Sequence, residues 1–284
     1  MGDSLKGRVA IVTGSSRGIG RAIAERFGAE GATVVLAARS AQQSANLPGT
    51  LTEAAAAIEA LGGKAVSIAS DVTDPASREN LVAETIARLG RLDILVNSAG
   101  RSIHSTVSDF TSENLLSQIA QYLTAPMDLA RLAIPHMRKG GAGWIVNIGS
   151  ATAKMPEAPL AGFHATEGLN VYGALKAALN RFTVGLAAEL LDSNIAAHVL
   201  APVGAIVTPG YASHGTVERD AAYLEPMEDI VEAALALVSH PATQSTGEIA
   251  YSYQYLDRIG RSTRSLDGSE IVTPRPHESR PGES

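Results

Sequence analysis

The sequence predicts an α/β protein: a doubly wound, mostly parallel seven-stranded sheet with helices on both faces, forming one domain over residues 1–260. Three observations predict it. Short β-branched runs alternate with amphipathic helical stretches along the chain, which is the pattern of successive βα units. Hydrophobic residues make up 45% of the 284 and aromatics only 4%. The apolar mass is therefore Ala, Val, Ile and Leu, as in strands covered on both faces by helices. The length also suits one such domain, since these sheets run to about 250 residues before splitting.

Taken in order, strands are expected at Val9–Thr13, Thr33–Ala37, Ala65–Ala69, Ile94–Asn97, Trp144–Ile148, Ala196–Leu200 and Glu248–Tyr251. Thr50-x-x-Glu53 is a capping box, and the helix it opens ends at Gly62-Gly63. Asp74 supplies an N-cap and Pro75 the first helical position. Two stretches exceed what plain alternation needs, Ser40–Gly49 and Thr152–Asn170. From residue 261 to 284 the chain turns to Ser, Arg, Gly and Pro, and a polar, flexible C-terminal tail is expected there.

Composition excludes several function classes. The formal net charge is −6 and no block of Lys or Arg interrupts it, so no nucleic-acid partner is expected. There is no cysteine, which removes disulfides and thiolate metal sites. None of the seven histidines pairs at metal-ligand spacing, so no metal is expected. No run of 18 apolar residues exists for a membrane span, and Met1–Lys6 opens no signal peptide. A cytoplasmic protein is the expectation.

Chemistry is concentrated in two places. Thr13-Gly14-Ser15-Ser16-Arg17-Gly18-Ile19-Gly20 follows the first strand and opens the first helix. Glycines there permit a tight turn and bring backbone N–H groups to a pyrophosphate at the positive helix end, the arrangement of a Rossmann-type dinucleotide site. A carboxylate ending the second strand would bond the ribose 2′-hydroxyl of NAD. This chain has Arg39 there instead, with Arg17 in the glycine loop, so the two are expected to converge on a 2′-phosphate. Each charge-assisted hydrogen bond contributes about 1.5–3 kcal/mol, which favours NADP(H) over NAD(H) by roughly ten- to a thousand-fold.

The second place is Tyr172-Gly-Ala-Leu-Lys176. A spacing of four puts both side chains on one helix face, where an ammonium is expected to lower the phenol's pKa toward neutrality. Ser150 ends the fifth strand at the carboxyl edge of the sheet, the ligand side of such folds, and its hydroxyl could hold a reacting carbonyl oxygen.

With these residues in hand the chain resembles the short-chain dehydrogenase/reductase family in its compact, single-domain branch. The resemblance is carried by Thr13–Gly20, Asp71-Val72, Asn97-Ser98-Ala99-Gly100, Ile145–Ser150 and Tyr172-x-x-x-Lys176, in the family's order over about residues 7–252. It implies an enzyme that moves hydride reversibly between NADP(H) and a ketone or aldehyde. Tyr172 would be the general acid/base, Lys176 would lower its pKa and bind the nicotinamide ribose, and Ser150 would polarise the substrate oxygen. Gly14, Ser16, Arg17, Gly18, Ile19, Gly20 and Arg39 would hold the phosphates. Asp71 and Val72 would meet the adenine, and Asn97, Ala99 and Gly100 would line the cofactor site. Pro202, Val203 and Thr208 would cover the nicotinamide. A homodimer or homotetramer is implied, with helices around 111–138 and 172–191 at the interface.

Three departures stand out. The family's catalytic asparagine falls at Tyr122, which motivates the alternative of an NADP-binding redox sensor or scaffold with impaired catalysis. Ser150 and Tyr172 are 22 positions apart, where the family has about a dozen. The added residues, with Met155, Leu160, Phe163, His164 and Leu169, are expected to form a lid over a fairly apolar carbonyl or alcohol substrate. Third, the family's Pro-Gly pair appears as Pro202-Val203-Gly204.

Overall fold

The computed structural model describes residues 2–39, 48–158, 160, 167–212 and 224–272. Seven strands form one parallel sheet: β1 (Val9–Thr13), β2 (Thr33–Ala38), β3 (Lys64–Ala69), β4 (Ile94–Asn97), β5 (Gly143–Ile148), β6 (Ile195–Ala201) and β7 (Ile249–Tyr251). Their spatial order is β3-β2-β1-β4-β5-β6-β7, with every pairing parallel. The expected α/β, Rossmann-type doubly wound sheet is what the chain forms. Connections run outward one way from β1 and the other way from β4, so a crevice opens between them at their carboxyl ends.

Strand alternation divides the core. Ala10 and Val12 of β1, Val34 and Leu36 of β2 and Val146 of β5 pack on one face; Val9, Ile11, Val35, Ala37 and Ile145 pack on the other. Successive side chains in a strand point to opposite faces, so each strand feeds two cores. The first face carries α1 (Gly18–Ala29), α2 (Leu51–Ala60), α8 (Met227–Ser239) and α9 (Ser252–Ile259). The second carries α3 (Pro75–Leu89), α5 (Ala125–Gly140) and α6 (Asn170–Glu189). A short α4 (Ser112–Ile119) runs into α5 through a π-helical turn, Ala120–Thr124, and α7 is the single turn Pro209–Ala212.

Local signals set the helix ends. Thr50 Oγ1 accepts from the Glu53 amide at 3.0 Å while the Thr50 amide donates to Glu53 Oε2, also at 3.0 Å, so the expected capping box starts α2. The Asp74 carboxylate accepts from the Ala76 and Ser77 amides ahead of Pro75. Residues 261–272, read from composition as part of a polar tail, carry specific contacts: Thr263 is buried and donates to Asp229 Oδ1 at 2.6 Å. The rest of that tail, 273–284, lies outside the described residues.

His198, on β6, is fully buried, and neither ring nitrogen has a hydrogen-bond partner among the described residues. Burial, assisted by nearby His240, pulls its pKa down to about 4. The unfolded chain therefore takes up the proton first as pH falls. This site's contribution is intact above about pH 6.5, the unfolded value, and is lost progressively as pH drops toward 4. His198→Leu is expected to move the midpoint of acid unfolding, followed by circular dichroism, to lower pH. An unchanged midpoint would remove His198 from the acid response.

Candidate active site

The carboxyl ends of β1, β4, β5 and β6 border a cavity of about 730 Å³. Its lining brings together Gly14, Ser16, Arg17, Gly18, Ile19 and Gly20 from the loop opening α1, and Arg39 and Asp71 from the ends of β2 and β3. From the β4 side come Ala99 and Gly100; Ser150, Tyr172 and Lys176 complete the opposite wall with Pro202 and Thr208. Residues as far apart in sequence as Gly14 and Tyr211 thus share one surface because seven strand ends face one way.

The glycine loop is shaped by close approach. Gly14 has φ +70°, and a Cβ there would stand 2.8 Å from the Ala99 backbone. Only glycine allows this left-handed turn and this contact together. Thr13 secures the facing segment, its Oγ1 accepting from the Ser98 and Ala99 amides at 3.1 and 3.2 Å. Ser15 does the same for β2, accepting from the Ala37 amide at 2.9 Å. No carboxylate ends β2, where Ala37, Ala38 and Arg39 line the cavity. Arg17 donates from Nη2 to the Gly49 carbonyl at 3.0 Å, while its Nε is buried with no hydrogen-bond partner among the described residues. An unsatisfied guanidinium N–H and a cradle that a Cβ would fill fit a dinucleotide.

The reacting end is built from β5 and α6. Ser150 lies two residues past β5, and its Oγ accepts from Thr152 N at 3.2 Å and Thr152 Oγ1 at 2.8 Å. Those bonds use the oxygen's acceptor capacity and leave its proton to give. It hydrogen-bonds the Tyr172 phenol. Helix α6 comes close enough because residue 173 is glycine: a Cβ there would meet the Thr152 carbonyl oxygen at 2.7 Å. Lys176, one turn on, is buried and donates from Nζ to the Ile148 carbonyl at 2.6 Å.

The electrostatics differ from the expectation in direction. Removal from water pushes the Tyr172 phenol up to about 12, against a smaller lowering by the Ser150 hydrogen bond. The same burial pulls Lys176 down to about 7. Desolvation disfavours both charged forms, phenolate and ammonium alike. In the protein alone the phenol is the protonated form at neutral pH.

Several expected positions differ. Asn97 does not line the cavity; its Nδ2 donates to Asn147 Oδ1 at 2.8 Å, and Asn147 Nδ2 donates to Thr183 Oγ1 at 2.9 Å. This buried chain of amides ties β4, β5 and α6 together. Val203 also lies behind the wall, its amide donating to Glu225 Oε2 at 2.6 Å. Val72 lines the cavity beside Asp71, whose Oδ1 accepts from Thr73 N and Oγ1. Of the expected lid, Met155 and Leu160 face solvent at 81% and 72% exposure; Phe163 and His164 lie outside the described residues. Instead Arg101, Ser102, His104, Gln121 and Tyr211 line the described wall. Sequence reasoning missed these, along with Thr152 and Gly173, because they carry no motif of their own.

Comparison with known proteins fits this geometry. The short chain dehydrogenase family profile matches residues 8–216. The chain belongs to the short-chain dehydrogenase/reductase family. An uncharacterised oxidoreductase of Staphylococcus aureus (strain USA300) is 31% identical over 245 residues, covering 86% of this chain and 96% of the relative. Among solved structures, a short chain dehydrogenase of Mycobacterium thermoresistibile superposes with TM-score 0.79 at 27% identity, covering 90% and 88% of the two chains. L-Sorbose reductase of Gluconobacter frateurii, complexed with NADPH and L-sorbose, gives 0.75 at 31% identity, covering 88% and 97%. As a short-chain dehydrogenase/reductase, this chain is an oxidoreductase acting on CH–OH or C=O groups with a nicotinamide cofactor. Among its described residues no helix is long and apolar enough to cross a membrane.

Proposed function

We propose that this short-chain dehydrogenase/reductase reduces a carbonyl compound with NADPH, and oxidises the alcohol in reverse. The observation that carries the reading is the hydrogen-bonded pair Ser150–Tyr172 above a buried Lys176, on the wall of the cavity that the glycine loop opens. Gly14 to Gly20 and Ala99 to Gly100 would hold the dinucleotide, and Asp71 and Val72 its adenine. Pro202 and Thr208 would lie over its nicotinamide. NADPH, when bound, supplies the hydride for the carbonyl carbon.

The side chains do the rest. Ser150, with its acceptor sites taken by Thr152, donates its hydroxyl proton as a hydrogen bond to the carbonyl oxygen. Tyr172 gives its phenolic proton to that same oxygen, completing the alcohol and leaving a phenolate. Lys176 supports that phenolate as an ammonium. A general acid positioned in this way contributes typically 10²–10⁴-fold. The polar wall of Arg101, Ser102, His104 and Gln121 favours a carbonyl compound with polar substituents over the fairly apolar one that the solvent-facing Met155 and Leu160 suggested.

Preference for NADP(H) rests on Arg17 and Arg39 and on the missing carboxylate. The double variant Arg17→Ser/Arg39→Ser is expected to weaken NADPH binding roughly ten- to a thousand-fold while NADH binding stays within about threefold. Fluorescence titration with both cofactors reads this directly. Equal losses for the two cofactors would refute a 2′-phosphate site. The broader reading is tested by NADPH oxidation against a panel of ketones and aldehydes. Cofactor binding without turnover across that panel would favour a sensor or scaffold instead.

A further inference from the structure

Tyr122 sits in the π-helical turn Ala120–Thr124, between α4 and α5. One residue is gained in such a turn, and it re-aims the side chains around it. The ring is 5% exposed and stands edge-on to Tyr172, with centroids 5.1 Å apart and planes at 74°. It is wedged against Gly100, where any Cβ would collide with Tyr122 Cε1. Lys176 Nζ lies 4.3 Å from the centre of the Tyr122 ring, nearer than the 5.6 Å to that of Tyr172.

The lysine has few other partners. Its own helix presents the phenol of Tyr172, β5 presents the Ile148 carbonyl, the turn after β5 presents Ser150, and the π turn presents Tyr122. Asp71 is the one acid among the described residues lining the cavity. It follows β3, four strand steps from β5, or roughly 19 Å at the usual strand spacing. Among the described residues the buried ammonium thus meets one carbonyl and two aromatic rings. The negative face of a desolvated ring attracts such a cation strongly.

We propose that Tyr122 is a positioning residue, whose ring face holds the Lys176 ammonium beneath Tyr172. The hydroxyl is not the working part. Burial raises its pKa well above the ordinary tyrosine value, so it keeps its proton, gives none to the lysine and carries no charge toward it. The inference rests on the Tyr172–Lys176 reading for its catalytic meaning, but the contact itself does not.

The test follows the Lys176 ammonium by heteronuclear NMR across pH in the full chain, with a Lys176→Met spectrum to assign the signal. Tyr122→Phe keeps the face and is expected to titrate as the parent does. Tyr122→Leu stays apolar but has no face, so its midpoint should fall by about one pH unit, tenfold in the protonation equilibrium. Replacing Tyr122 with a ring-fluorinated phenylalanine keeps the shape and weakens the face, and should shift the midpoint the same way even if the leucine variant folds poorly. Alcohol oxidation by the leucine variant should lose about fivefold in kcat at about pH 7, approaching tenfold above about pH 8, with little change in KM for the cofactor. A parent-like titration in both the leucine and fluorinated variants would overturn the proposal. So would a phenylalanine shift as large as that of leucine, which would give the role to the hydroxyl. Because the titration needs no turnover, an enzyme that stays active without the Tyr172 hydroxyl would sink the functional reading and leave this contact standing.

Discussion

Tyr172→Phe is expected to lower kcat for carbonyl reduction by about 10²–10⁴-fold, with NADPH affinity held within about twofold. The phenol sits between Ser150 and Lys176 and is the group that has a proton to give at neutral pH, since burial holds its pKa up at about 12. Phenylalanine keeps the edge-on packing with Tyr122, so the loss is chemical rather than structural. Its effect on direction also has a sign. Reduction uses the protonated phenol, which is already the dominant form, whereas oxidation uses the phenolate, whose population grows as pH rises toward that value. The parent's oxidation rate should therefore climb through the alkaline range while its reduction rate does not. Stopped-flow measurement of NADPH consumption by the parent and the variant checks the first point, and pH profiles in both directions check the second. Substantial turnover by Tyr172→Phe would mean that another group supplies the proton.

The parts of this protein legible in sequence are those in which the physics is local. Strands show because a strand covered on both faces must be a run such as Val-Ala-Ile-Val-Thr at 9–13. The capping box at Thr50 and Glu53 shows because both of its hydrogen bonds lie within four residues. The glycine loop and the Tyr172–Lys176 spacing are equally local. What escaped depends on contacts between distant positions. Asn97 reads as a cavity-lining residue from its place at the end of β4, yet its side chain is buried and its Nδ2 donates to Asn147, 50 positions away. Met155 and Leu160 read as a lid from their apolarity, but side-chain direction is set by backbone that a loop sequence does not specify. The pKa of Tyr172 came out in the opposite direction because spacing shows a neighbouring ammonium and conceals how thoroughly both groups are taken from water. Composition alone made residues 261–272 look like a tail, since Arg and Ser are tail-like only until their partners are known.

Those partners carry the largest expected effect on stability. Glu232 lies on α8, a helix whose residues from Asp229 to Val238 are all buried, and it is 1% exposed. Its Oε2 meets Arg26 Nη1 of α1 at 2.8 Å, and its Oε1 meets Arg261 Nε at 2.6 Å. Arg26, itself 1% exposed, also reaches Glu30 Oε1 at 3.1 Å and the Ser265 carbonyl at 3.2 Å. One carboxylate thus joins α1, α8 and the chain beyond α9. Glu232→Ala would leave the buried Arg26 with Glu30 as its one ionic partner among the described residues, and removing one member of a buried pair costs about 3–5 kcal/mol. For a domain of this size that lowers Tm by roughly 10 °C. The double variant Arg26→Met/Glu232→Met removes both buried charges and fills their space with apolar atoms, an exchange that is often neutral or stabilising. It should recover most of the lost Tm. Scanning calorimetry of the two variants separates the cost of an orphaned charge from the worth of the pair. If Glu232→Ala melts within about 2 °C of the parent, less than 1 kcal/mol by the same scaling, the charges are hydrated in solution and the network does not clamp the terminal segment to α1.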